Sequence, residues 1–434
     1  MTSNPVSLGR LARFWLPLQT TWLFMAAEAL FLAAVIARLP EPRFNLAAHG
    51  VAYAFAIIVE APVIMMLSAA TALVDARPGY RALRRFAHAL NLLITASMLV
   101  LLATPAMDWI LRDFMSLEPQ VAGLAHGALW ILLPWPAAIG YRRFYQGIMI
   151  RAGLTDRVAW GTVLRLASMA GAALTAAGLG LDGARVGACA LSAGVCCEAL
   201  ASRLMARRTV RELPAASARV RPADLSWRGI ASFYWPLALT STISLAVQPL
   251  VTFFMGRARA SLESLAVLPV INALVFLFRT PGLAYQETAI AMLGESETNR
   301  QPVLRFATLL AVAAAAGLVV VAWTPLSRLW FEDVSGLDPE LSAFATTPAR
   351  ILALMPALSV LLNLERAFLV HARHTAPVTA ASLLEVGLIA TVLALGSGVL
   401  DLVGATAAAI AFMVGRLGAN LYLAPGLRRE APRA

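Results

Sequence analysis

Three polar side chains interrupt a long apolar run at residues 265–293, LAVLPVINALVFLFRTPGLAYQETAIAML: Asn272, Arg279 and Gln286. Their regular spacing places all three on one narrow face of a helix with 3.6 residues per turn. An arginine near the middle of a membrane-length helix costs roughly 2.5 to 3.5 kcal/mol to insert, so Arg279 is expected to face protein or a wet cavity. There its guanidinium could hold an anion. Gln286 is followed by Glu287, nearer the end of the run.

The run has a counterpart near the start of the chain. Shifted by 219 positions, residues 12–74 lie on residues 231–293 without a gap, and 14 of the 63 pairs are identical. The informative matches are Phe14 with Phe233, Pro17 with Pro236, Thr21 with Thr240, Arg38 with Arg257 and Pro62 with Pro281. In this register Glu60 falls on Arg279 and Tyr53 on Asn272. Each half thus sets a charge two residues before the same proline, negative in one half and positive in the other. The expectation is that Glu60 and Arg279 face a shared cavity and pair when it is empty. The alternative is an intramembrane salt bridge that holds two lobes together.

Other polar residues in apolar segments divide by role. Glu28, on one face with Thr21, and Glu287 are candidates to carry a coupling proton, because low dielectric disfavours an ionised carboxylate. Tyr53, Thr21 and Gln248 are further cavity candidates. Arg142, Arg143, Tyr145 and Gln146 occupy a stretch equivalent to that of Asn363, Glu365 and Arg366. Adjacent arginines on a helix point to different faces, so a gating or structural role is expected for Arg142, Arg143, Gln146, Glu365 and Arg366. Glu198, Glu385, His88 and Arg416 stand isolated and read as internally paired packing residues or interface anchors.

These residues must be positioned by membrane helices. The chain of 434 residues is 60% hydrophobic and 14% charged, with a mean hydropathy of +0.74, too apolar for a soluble protein. Its 35 basic residues are all arginine. Without lysine there is neither a phosphate loop of the GxxxxGK[ST] type nor a Schiff base, so an ATPase or other enzyme is not expected. Cys189, Cys196 and Cys197 share one apolar segment and read as small buried hydrophobes. No metal or cofactor is expected. The net charge of +11 is read through loop asymmetry rather than as a sign of nucleic acid.

Spanning segments are expected at about 11–37, 46–74, 84–106, 121–150, 158–180 and 184–206, then at 229–256, 265–293, 304–326, 343–371, 377–399 and 402–424. The chain reads as an all-α polytopic membrane protein of twelve helices in two parallel, pseudo-symmetric six-helix lobes, 1–206 and 229–434, joined by a polar linker at 207–228. Six crossings return the chain to its starting side, so the halves share one orientation. Arginines gather in the loops on the amino-terminal side, among them Arg77, Arg81, Arg84, Arg85, Arg207, Arg208 and Arg211. That side is therefore expected to be cytoplasmic, with both termini there. The first helix, having a mid-chain counterpart, is expected to be structural rather than a removable leader. Pro17, Pro62, Pro134, Pro136, Pro236, Pro281 and Pro356 are expected to kink their helices.

The proline-bearing first helix repeated as the seventh, together with FYQGIMIRAGLTDRV leaving helix four, resembles the multidrug/oligosaccharidyl-lipid/polysaccharide (MOP) superfamily with its MATE-like fold. SFYWPLAL at 232–239, HGVAYAF at 49–55 and TPGLAYQE in helix eight look most like the progressive ankylosis branch. The resemblance implies two six-helix lobes in a V, with helices one, two, seven and eight lining a cavity that opens alternately to either side. Animal members of that branch are implicated in export of ATP, pyrophosphate-generating nucleotides and citrate-like anions. MATE relatives expel cationic drugs by proton or sodium antiport, and others flip lipid-linked sugars. Relatives often carry an acid on helix one, matched by Glu28, whereas the helix-seven counterpart is Val247 beside Gln248.

The function expected is a secondary transporter of a bacterial inner membrane, exporting a small organic or phosphorylated anion by alternating access. Its partners would be that small molecule, the bilayer and a coupling proton or sodium ion. A MATE-type drug or metabolite antiporter, a lipid-linked oligosaccharide flippase and a non-transporting scaffold are the alternatives.

Overall fold

A computed structural model describes residues 6–216, 225–371 and 376–429. Among these, twelve helices are long and apolar enough to cross a membrane. They are α1 (Leu8–Ala37), α2 (Pro42–Leu73), α3 (Arg77–Ala103), α4 (Pro119–Arg151), α5 (Asp156–Gly178) and α6 (Gly183–Arg211) in the first half. The second half has α7 (Trp227–Arg257), α8 (Ser261–Leu293), α9 (Arg300–Trp323), α10 (Pro339–Leu369), α11 (Ala376–Gly398) and α12 (Gly404–Pro425). Several begin before the apolar run does, as α3 does at Arg77, because a helix continues through the charged residues that end its hydrophobic stretch.

Local chemistry sets the ends and breaks. Ser7, Asp182 and Ser226 cap α1, α6 and α7 by accepting from backbone N–H groups three residues on. In α2 the helix tightens to a 3₁₀ turn over Ala61–Val63, where Pro62 has no N–H to donate and its ring crowds the preceding turn. Short π-helical turns, Trp109–Phe114 and Leu329–Val334, follow α3 and α9 at equivalent places in the repeat.

By contact the chain divides into Leu39–Phe253 and a second unit made of Met1–Arg38 with Phe254–Ala434. The compact units are therefore not the sequence halves, since each half gives its first helix to the unit built mainly by the other. The apolar cores follow this division. Leu11 packs with Tyr285, Phe306 and Phe368 in one, and Ile230 and Tyr234 pack with Met66, Phe144 and Met149 in the other. Arg38 adds a clamp at the end of α1, donating from Nη2 to the carbonyls of Asp333 (2.5 Å) and Val334 (3.0 Å).

Candidate functional site

The unit formed by residues 39–253 buries a cluster of charge where α2, α4, α5 and α6 meet. At its centre is Glu198 of α6, with no exposed surface. It pairs with Arg142 Nη1 of α4, lies 3.3 Å from Arg165 Nε of α5 and accepts from Gln146 Nε2 at 3.0 Å. Glu60 of α2 is 7% exposed, and its Oε2 has no hydrogen-bond partner. The charges acting on it are Arg142, Arg143 and Arg165. Close helix packing brings these groups together. A Cβ on Gly147 of α4 would lie 2.4 Å from the Leu67 carbonyl of α2, and one on Gly140 would lie 2.2 Å from Asn91 Oδ1 of α3.

The broken part of α2 directly after Glu60 is held by α7. Tyr234 donates from its hydroxyl to the Pro62 carbonyl at 2.5 Å, and Ser241 donates to the Ala61 carbonyl at 2.7 Å. These side chains satisfy backbone carbonyls that would otherwise be stranded in an apolar setting.

The second unit builds the equivalent cluster from α8, α10, α11 and α12. Arg279 is half-buried and donates from Nε to Ser359 Oγ of α10 at 3.0 Å. Arg416 of α12 reaches the same oxygen at 3.5 Å and pairs with Glu385 of α11 at 2.9 Å. Arg366 donates to Ser382 Oγ at 3.2 Å. Glu365 is 1% exposed, and its Oε2 is without a partner. Gly282 lets α8 approach α10, since a Cβ there would lie 2.9 Å from the Val360 nitrogen. Arg366, Glu385 and Arg416 all act electrostatically on Arg279.

The ion pairs of the two units join equivalent helices in the opposite sense; Arg165 is equivalent to Glu385, whereas Glu198 lies about one turn beyond Val195, the residue equivalent to Arg416. Arg165 with Glu198 joins α5 to α6, and Glu385 with Arg416 joins α11 to α12. Each cluster thus sets three arginines against two glutamates: Arg142, Arg143 and Arg165 with Glu60 and Glu198, and Arg279, Arg366 and Arg416 with Glu365 and Glu385.

The structure distributes the expected site residues unevenly. Arg142, Arg143, Gln146 and Glu60 come together, as do Arg279, Glu365 and Arg366. Asn272 and Gln286 are half-buried on α8 with Arg279, and Glu287 is exposed. Tyr53 is 40% exposed, with its ring 6.3 Å from those of His49 and Trp135. Glu28 is half-buried on α1 and Gln248 on α7. Thr21 belongs to α1, and its side chain lies outside the described residues. Glu198, Glu385 and Arg416, expected to be internally paired, are paired, and their partners make them members of the two clusters. Arg165 and Ser359 are members that sequence reasoning missed. Among the described residues no group of three or more His, Cys, Asp or Glu comes together as a metal site.

No protein-family model matches the chain, and no curated protein matches it in sequence. Solved structures do match it over nearly the whole length. A multidrug resistance MATE family transporter of the MOP superfamily, in its inward-facing conformation, superposes with a TM-score of 0.74 at 15% identity, covering 96% of this chain and 98% of its own. Lipid II flippase MurJ, in an inward closed conformation, gives a TM-score of 0.71 at 13% identity, covering 95% and 87%. A MOP superfamily transporter from Pyrococcus furiosus, described as having a binding pocket of reverse polarity that suggests a different function, gives 0.64 at 14% identity, covering 98% of each chain. The fold is therefore that of the MATE-like transporters.

Proposed function

We propose that this chain is an alternating-access secondary transporter of a bacterial inner membrane, with both termini cytoplasmic, that exports a small organic or phosphorylated anion. The observation that carries this reading is the excess of positive charge in both buried clusters, three guanidiniums against two carboxylates in each. Protonation of any of these glutamates only raises the excess. A buried arginine is costly in a membrane, and a structural ion pair needs one cation per anion rather than a surplus. A surplus favours a ligand that brings negative charge. The Pyrococcus furiosus protein sets a precedent within the fold for a pocket whose polarity departs from that of its relatives. Resemblance to the progressive ankylosis branch points the same way, towards citrate- or nucleotide-like anions. The chain would act as a carrier and not as an enzyme.

Mass-spectrometric profiling of medium and cytosol tests this, using cells that express wild type, Arg279→Ala or an empty vector at matched membrane levels. The expected result is a carboxylate or nucleotide that accumulates outside with wild type alone. Unchanged anions together with altered resistance to cationic compounds, or altered surface glycolipid, would contradict it and favour the antiporter or flippase instead.

A further inference from the structure

Glu60 and Arg143 differ from their neighbours in the first cluster. Glu198 is engaged by Arg142, Arg165 and Gln146, whereas Glu60 Oε2 and Arg143 Nε have no hydrogen-bond partner. Each nevertheless acts electrostatically on the other. A carboxylate and a guanidinium are therefore held near each other in a buried place without closing into an ion pair. The groups around Glu60 can be named element by element. Arg142 and Arg143 come from α4, and Arg165 comes from α5 with Glu198 of α6 upon it. Uncharged neighbours complete the surroundings: Asn91 of α3, packed at Gly140 beside Val63, and Tyr234 and Ser241 of α7 on the turn that follows Glu60.

We infer that Glu60 is a protonatable placeholder for the transported anion: a carboxylate or phosphate group takes its place in the field of Arg142, Arg143 and Arg165 only when Glu60 carries a proton. This inference rests on the anion reading above and adds the coupling ion to it. With Glu198 fixed, the cluster has one uncompensated positive charge when Glu60 is ionised. A single negative charge would neutralise it, but a ligand carrying two or more charges, as citrate, pyrophosphate and ATP do, would reverse the balance in a low-dielectric setting, where like charges repel strongly. Transfer of a proton from water to the orphaned Oε2 removes one negative charge as the ligand brings another. The anion and the proton then bind and leave together, so the anion's own outward gradient drives export with one proton carried out per turnover, and the coupling role passes from Glu28 and Glu287 to Glu60. The 3₁₀ turn at Ala61–Val63 gives the helix a place to bend beside this group.

The test is binding of citrate, pyrophosphate and ATP to full-length protein in nanodiscs between pH 6 and 9, each measured on wild type, Glu60→Gln, Glu60→Asp and Arg143→Gln. For an anion that binds, coupling to one proton makes wild-type affinity rise by up to about tenfold per unit fall in pH while Glu60 is ionised in the empty protein, and level off once it is protonated, beyond any change due to the ligand's own titration. Glu60→Gln should bind the same anion with that additional dependence lost, so the ratio of the two affinities isolates Glu60. Glu60→Asp should restore the dependence, and Arg143→Gln should weaken binding at every pH. If Glu60→Gln retains the wild-type pH dependence, the placeholder role is wrong and the anion reading stands. If wild type binds none of the three anions, the anion reading fails and this inference falls with it.

Discussion

The indole Nε1 of Trp15 donates to the carbonyl of Pro281 at 3.2 Å. Trp15 corresponds to Tyr234 in the sequence repeat, and Pro281 corresponds to Pro62. Tyr234 in turn donates to the Pro62 carbonyl at 2.5 Å. The first helix of each half thus reaches the proline of the other half's second helix by the same contact, two residues beyond the sign-swapped charges Glu60 and Arg279. Next to it, Gln19 donates to Thr280 Oγ1 at 2.8 Å, and Ser241 donates to the Ala61 carbonyl at 2.7 Å. This contact accompanies the apolar packing of α1 with the second half and of α7 with the first.

Removing either donor should loosen the kinked helix it holds. Tyr234→Phe is expected to lower stability by about 1 kcal/mol, the net worth of one hydrogen bond, and Trp15→Phe by more, because it also removes ring surface packed against Phe306. The two sites belong to different units, so their effects should add in the double variant. Thermal unfolding of the purified protein in detergent reads both values.

The ion pair between Glu385 and Arg416 is half the story of its cluster, because Arg416 has no second carboxylate within salt-bridge distance among the described residues. Glu385→Ala should therefore destabilise by about 3–5 kcal/mol, leaving a buried cation uncompensated. Combining Glu385→Arg with Arg416→Glu should recover part of that loss, since it restores opposite charges across the same pair of helices. Membrane yield and melting temperature of the single and double variants check this.

Gly282 allows α8 to lie against α10 closely enough for Arg279 to reach Ser359. Adding one methyl group in Gly282→Ala should cost about 1–3 kcal/mol through overpacking. Because the displaced contact also positions Arg279, transport should fall further than stability does. Initial rates at matched protein levels, set beside the thermal melt, separate the two effects.

Much of this architecture is legible in the sequence. The hydrophobic runs give the twelve helices, since a bilayer demands long apolar stretches, and the gap-free repeat gives the two-fold organisation. The exchange of first helices is not legible, because a repeat reveals which residues are equivalent but not which partner each one packs against. Arg279 and Glu60 stand out because each is a lone charge in an apolar run. The partners of Glu198 and Glu385 are harder to find, yet a signal exists. In an antiparallel helix hairpin, residues equidistant from the turn meet. Arg165 lies 13 residues before Gly178, the end of α5, and Glu198 15 after Gly183, the start of α6; Glu385 lies 13 before Gly398 and Arg416 12 after Gly404, so each pair is nearly equidistant from its turn. Opposite charges mirrored about a tight turn thus mark an intramembrane pair that linear spacing hides.

The most direct test of the anion-carrier account is counterflow in proteoliposomes loaded with unlabelled citrate, pyrophosphate or ATP and supplied outside with the same labelled anion. Wild type should exchange at least one of the three, Arg279→Ala should reduce that rate by an order of magnitude or more, and Arg279→Lys should retain part of it because the charge remains. Exchange that continues unchanged in Arg279→Ala, or a wild type that moves a cationic dye but none of the anions, would contradict the account.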